Sequence, residues 1–366
     1  MQVRPLLLLA LTFFTASVMA HHGNASHFDA EKPVSLDAII KKVEFVNPHS
    51  YVYFDVIDNN GAGTPWRCEM AAATTLRRSG WEKEILSEGQ NIIINGSLAR
   101  REANVCVVTS MVFDDGFEVS RRTDVSAYKK VTDTPTAEEG PSEEERIAKA
   151  MLAQPDFSGR WVTIGAGFSR PRGGAGRVAG AQRGDRNANA NVSATEAGLA
   201  AAEGYDGNFD NPNLKCQASD IIMAIQRDSH VNEFIDTGDR IAMNFGYMSV
   251  ERTIHMNVDA HPDNIESSLE GHSIGKWEES ALLIDTVGFL PSTYGGNGNY
   301  MTSDQLHITE RFEFDAAESQ LKRSYTLDDS LYINGTITGN QTLLMTDDLY
   351  EEYGCKELSG SNNQRP

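Results

Sequence analysis

Along most of this chain apolar and polar positions alternate with a period of two, the signature of half-buried β-strands. The clearest instance runs from Gly271 to Phe289, GHSIGKWEESALLIDTVGF. It reads as a strand over 273–277, a charged turn at 278–280 and an apolar strand over 281–286 ended by Gly288, which together make a hairpin. His272 stands before the first strand, and Asp285 interrupts the second. A carboxylate there must face water or find a partner, because burying it alone is costly.

Upstream, 34–46 and 51–57 alternate in the same way, and Asp58-Asn59-Asn60-Gly61 signals a hairpin turn into a third strand over 66–70. A helix over 71–79 ends at Gly80, a C-cap position. Strands over 91–95 and 105–113 follow. Five strands with a helix between the third and fourth is the order of an OB-like five-stranded barrel.

Downstream, 156–161 starts a first strand, and 193–203 reads as a helix with Ser193 as N-cap and Glu196 at N3. Apolar β runs then come at 221–226, 230–236, 240–247 and 250–258, and after the hairpin at 307–314, 321–327, 333–338 and 341–345. That spacing predicts a mainly β second half, an antiparallel lipocalin-like barrel or curved sandwich.

The segments between these halves have a different composition. Residues 1–20 combine Arg4, an apolar run over 6–14 and Val18-Met19-Ala20, the pattern of a secretory signal peptide. The expected organisation is this leader, an OB-like domain over 21–118, an acidic linker over 119–155, a larger β domain over 156–358 and a tail over 359–366. The Gly/Arg/Ala/Asn-rich stretch 165–190 inside the larger domain has too little apolar surface to order itself. With 32 Lys and Arg against 52 Asp and Glu the net charge is −20, which disfavours nucleic acid and anionic lipid as partners. No segment after the leader is long and apolar enough to span a bilayer as a helix, so a secreted or periplasmic location is expected. Four cysteines in an exported chain allow two disulfides in three connectivities. One bridge within each half, Cys68–Cys106 and Cys216–Cys355, is favoured.

Three stretches of the first half, HHGNASHFDAEKPVSL, VEFVNPHSYVYFDV and RRSGWEKEILSEGQNIIINGSLARR, resemble a family of secreted bacterial domains of unknown function. Its members share a His pair at the mature terminus, an Asn-Pro-His turn and an Arg-Arg-Gly-Trp helix end, into which this chain inserts Ser79. The second half, through DFSGRW, NLKC, Ala260-His261-Pro262, the hairpin and LHITERFEF, resembles a second family of exported β proteins. There the hairpin turn reads Gly-Asp-Thr, where this chain has Glu279-Ser280-Ala281. The second resemblance implies a barrel able to hold a small ligand.

Two constellations carry candidate chemistry. His21, His22 and His27 lie near the expected mature terminus, with His49 in the Asn47-Pro48-His49 turn. A free His21 amine and imidazole, joined by His22 or His49, would suit copper or another divalent metal. Otherwise these are ordinary terminal and turn histidines. The second set comprises His261, His272, Asp285, His307, Glu310 and Arg311. His272, Asp285 and His307 are the candidate catalytic residues, and His261, Trp277 and Arg311 the candidate ligand-binding ones. On one strand His307 and Thr309 share a face while Glu310 points to the other. A structural polar network is the competing explanation. Gly271-His272-Ser273-Ile274-Gly275 matches the letters of a nucleophile elbow, but a strand follows where the elbow needs a helix. The leading expectation is therefore binding of a small apolar ligand, with a metal ion as a further candidate. The alternatives are a hydrolase or lyase, and an envelope assembly or protein-interaction module.

Overall fold

The structure, a computed structural model, describes residues 26–58, 60–81, 85–120, 125, 158–164, 189, 191–217, 220–226, 230–294, 300–315 and 320–357. The leader, His21, His22, most of the acidic linker and nearly all of 165–190 lie outside these residues.

The first half is a closed small barrel. Its strands are β1 (Phe28–Glu44), β2 (Tyr51–Ile57), β3 (Gly63–Glu69), β4 (Asn91–Ala99), β5 (Val105–Phe113) and a short β6 (Glu118–Ser120). Antiparallel pairs β1–β2, β2–β3, β1–β4 and β4–β5, closed by parallel β3–β5, give the expected OB-like ring. The long β1 serves two neighbours because register breaks between Asp29 and Pro33 and between Ile40 and Lys42 let it bend. Its inward positions are aliphatic and aromatic, among them Ile40, Val52, Phe54, Ile94 and Met111, all buried. Helix α1 (Ala73–Arg78) sits between β3 and β4 in the chain and contributes Leu76 to this core. Cys68 and Cys106 pair across the β3–β5 seam, where they are also direct register partners.

The second half is a wider closed barrel of nine strands. In chain order they are β7 (Gly159–Ile164), β9 (Asn232–Asp236), β10 (Arg240–Phe245), β11 (Val250–Met256), β12 (His272–Glu278), β13 (Ala281–Val287), β16 (His307–Asp315), β17 (Gln320–Asp328) and β19 (Ile337–Met345). Around the ring the order is β10-β11-β12-β13-β16-β17-β19-β7-β9. All neighbours are antiparallel except β11 and β12. A parallel pair needs a return connection, and 257–271 supplies it, carrying His261. At its end Gly271 has φ +69°, and a Cβ there would come within 2.8 Å of the Phe289 ring, so only glycine fits. Two short ladders, β8 (Ser193–Ala194) with β18 (Ile333–Asn334) and β14 (Ser292–Thr293) with β15 (Met301–Thr302), lie outside the ring.

Three local expectations are corrected. The apolar run 221–226 is a helix, labelled α3 here (Ile221–Gln226), and not a strand. Its residues Ile221 to Ile225 are all buried, so hydrophobicity on every side hid its period. Asp220 caps it, accepting from Met223 N at 2.8 Å. Ser193 is in a strand and not an N-cap. The helix α2 (Glu196–Ala201) starts at Thr195, whose hydroxyl accepts from Gly198 N. Finally, the break between the last two strands falls at 335–336 and not at 339–340: β18 is Ile333–Asn334, and β19 runs unbroken over Ile337–Met345. Gly339 fits there because the Tyr325 ring occupies the space a Cβ would need.

The C-terminal segment joins the two barrels. Cys355 is bonded to Cys216, the second favoured bridge, and its neighbours run along the Asn47-Pro48-His49 turn. Lys356 N donates to Asn47 O at 2.7 Å, the buried Asn47 amide donates to Tyr353 O, and His230 Nε2 meets Thr74 Oγ1 at 2.8 Å. Tyr353 itself packs edge-on against His230 and Tyr247.

Candidate functional site

Period-two alternation assigns each strand residue of the large barrel to the core or the outer face. On β12, β13 and β16 the outward positions include His272, Ile274, Leu283, Asp285, His307, Thr309 and Arg311. The ladder sets Asp285 opposite Thr309, and Thr309 opposite Thr326. The return connection brings His261 against this face.

These residues form a hydrogen-bonded chain. His307 Nε2 is 2.7 Å from Asp285 Oδ2, and His261 Nε2 is 2.8 Å from Asp285 Oδ1. His261 Nδ1 is in turn 2.8 Å from His272 Nδ1. His255, outward on β11, stacks on His272 with ring centroids 4.9 Å apart. One set of tautomers satisfies every contact. His307 and His261 donate from Nε2 to Asp285, and His272 donates from Nδ1 to His261 Nδ1. Burial lowers the pKa of His272, helped by its neighbours His255 and His261, so its ring is held neutral. Partial burial opposes ionisation of Asp285, but the hydrogen bonds from His307 and His261 outweigh it and keep the carboxyl below its ordinary range.

The three candidate catalytic residues therefore do converge, with His261 as the link. They do so on the barrel's outer face, half exposed to solvent, and not inside it: side-chain exposure is 41% for Asp285 and 42% for His307. Beside them a groove of about 980 Å³ runs across β12, β13, β16, β17 and β19. Its outward-facing lining includes Ile274, Leu283, Asp285, Thr309, Thr326 and Asn340, with Val258 from the return connection. Arg311 lines it too and pairs with Glu313. Trp277 belongs neither to the groove, as Arg311 does, nor to the hydrogen-bonded chain, as His261 does. It lies on the opposite face of β12 from His272 and packs against the barrel core. Ser273, the would-be elbow serine, is likewise fully buried mid-strand and bonded to Arg252 and Thr286.

Inside the barrel is a second charged cluster, of which the sequence reading named only Glu310. Arg252, Glu310 and Arg323 are each almost wholly buried. Arg252 Nη2 donates to Glu310 Oε2 at 2.5 Å, and Arg323 Nη2 donates to Oε1. Burial alone would raise the Glu310 pKa, yet the two guanidiniums hold it down at about 2. The signal was available in the pattern, since all three residues occupy the apolar phase of their strands. Asp220 is another buried acid. Desolvation pushes it up to about 6 although Ser292 Oγ and Met223 N both donate to it.

Of the proposed metal ligands only His49 is described. Its Nδ1 stands 2.5 Å from Oε1 of buried Glu69, at the joint between the barrels. No group of three or more His, Cys, Asp or Glu among the described residues is arranged to hold a metal ion. Nor is any described helix long and apolar enough to cross a membrane.

With the geometry established, comparison with known proteins adds one match. Residues 10–106 fit the model of a family of unknown function (DUF6152). The matched stretch runs through β4 into the start of β5 and includes the Asn47-Pro48-His49 turn, so the first half carries a domain of unknown function. The match does not reach the nine-stranded barrel. No curated protein matches the chain.

Proposed function

We propose that this is an exported binding protein whose ligand site is the outer groove of the nine-stranded barrel, which meets the His–Asp–His chain at Asp285. The convergence of groove and chain at Asp285 supports it most directly. A fitting ligand has an apolar body, to lie on Ile274, Leu283 and Val258, and hydrogen-bonding groups, to face Thr309, Thr326, Asn340 and Asp285. The lipocalin-like alternative places a small apolar ligand inside the barrel. There Trp161, Phe234, Phe245 and Phe312 are fully buried core residues, which favours the outer site. Two disulfides fit an oxidising compartment and support export. A divalent metal such as copper at His21, His22 and His49 would be a separate site, and it would have to displace the His49–Glu69 pair. Ligand-observed NMR with a fragment library tests the groove. Fragments should bind the wild type and lose binding to Leu283→Glu, which alters an outward position. Equal binding to both proteins would overturn the proposal.

A second reading is favoured by His272. Its ring is held neutral, and its Nε2 makes no hydrogen bond among the described residues. A neutral imidazole backed by His261 and Asp285 has the form of a general base for a hydrolase or lyase. Hydrolysis of an activated-ester panel, present in the wild type and absent in His272→Gln, would support it. Equal rates in the two proteins would exclude His272 as the base.

A further inference from the structure

We propose that the interior of the nine-stranded barrel takes one chloride-sized monovalent anion against the Arg252 guanidinium. Two arginines and one glutamate leave the buried cluster with one uncompensated positive charge. Both Glu310 oxygens are already used, one by each arginine. Arg252 spends Nε on Ser273 and Nη2 on Thr286 and Glu310, and its buried Nη1 has no partner. Arg323 also has a buried donor without a partner among the described residues, Nε, but it donates Nη1 to Gln341 and lies over the Phe312 and Tyr325 rings, 5.2 and 5.6 Å from their centroids, so part of its charge is met there. Arg252 has no such ring contact among the described residues. The other buried acids of this barrel do not supply the missing charge. Asp220 is held by Ser292 and Met223, and Asp329 by Ser303 and Tyr332.

A buried guanidinium cannot shed its proton, and an unmatched buried charge is strongly unfavourable. Water would satisfy the Nη1 donor but not the charge, whereas a small anion does both. The surrounding core of buried aliphatic and aromatic side chains suits a bare ion rather than a bulky ligand.

The full chain, exchanged into chloride-free gluconate buffer, tests this by thermal unfolding at constant ionic strength. Chloride and bromide should raise the Tm of the wild type saturably, by about 5 °C. Arg252→Met, which leaves a balanced Glu310–Arg323 pair, should show no halide dependence. Should that variant fail to fold, anomalous scattering from bromide-soaked wild-type crystals gives the answer alone, with a peak expected beside Arg252 Nη1. Identical Tm values in chloride and gluconate, or bromide found only on the outer surface, would overturn the proposal.

Discussion

The two barrels of this chain solve the same problem at different widths. Five strands enclose a space that aliphatic and aromatic side chains fill unaided, with a disulfide across the closing β3–β5 seam. Nine strands enclose more, and the larger barrel holds a buried Arg–Glu–Arg cluster besides its apolar core. The helix α3 also packs into that core, capped by a buried aspartate. Widening a barrel thus moves polar groups into the interior, where they hold structure together. The exposed histidines and the groove are left to the outer face.

The contrast breaks first at Glu310. Glu310→Gln keeps the shape but leaves two buried guanidiniums without a carboxylate. Urea unfolding at pH 7 should show a loss of about 3–5 kcal/mol. Replacing the whole cluster, as Arg252→Met with Glu310→Leu and Arg323→Met, should instead be neutral or stabilising, because the desolvation cost goes too. A triple variant as unstable as Glu310→Gln would show that the wide barrel needs charge inside it.

Asp220 sharpens the comparison more gently. Its folded pKa of about 6 lies above the ordinary carboxyl value of 3.8, so the folded state binds the extra proton. Stability contributed by this group therefore rises as pH falls from 7 toward 4. Asparagine can still cap α3 and meet Ser292. Asp220→Asn should gain up to about 3 kcal/mol at pH 7, from a rise of roughly two pKa units, and almost nothing at pH 4. A pH-independent difference between the two proteins, measured by urea unfolding, would mean that Asp220 is ionised without penalty.

How much of this was legible in the sequence follows the same division. Strands with one wet face announced themselves by alternation, and β2 and β5 begin and end where the pattern predicts. Both disulfides were favoured because each closes its own half. Alternation also put His307 and Thr309 on one face and Glu310 on the other, as observed. It did not tell which face was inside, and the second resemblance implied only a barrel able to hold a small ligand. The helix α3 escaped because a short segment buried all round has no polar stripe to reveal its period. The Arg252–Glu310–Arg323 contacts span 13 to 58 residues of sequence, and His261 reaches Asp285 only because β11 and β12 are parallel. Such pairings depend on ring closure, which no local pattern encodes.

The central claim, that Asp285 ties His261, His272 and His307 into one hydrogen-bonded unit on the outer face, is tested most directly by nitrogen NMR of the imidazoles above neutral pH. The account predicts Nε2–H tautomers for His261 and His307 and an Nδ1–H tautomer for His272 above neutral pH. It also predicts that Asp285→Asn, which leaves a single carbonyl acceptor, changes the tautomer of one of the two rings that donate to Asp285. An Nδ1–H tautomer at His261 or His307 in the wild type, or tautomers unchanged in Asp285→Asn, would contradict it.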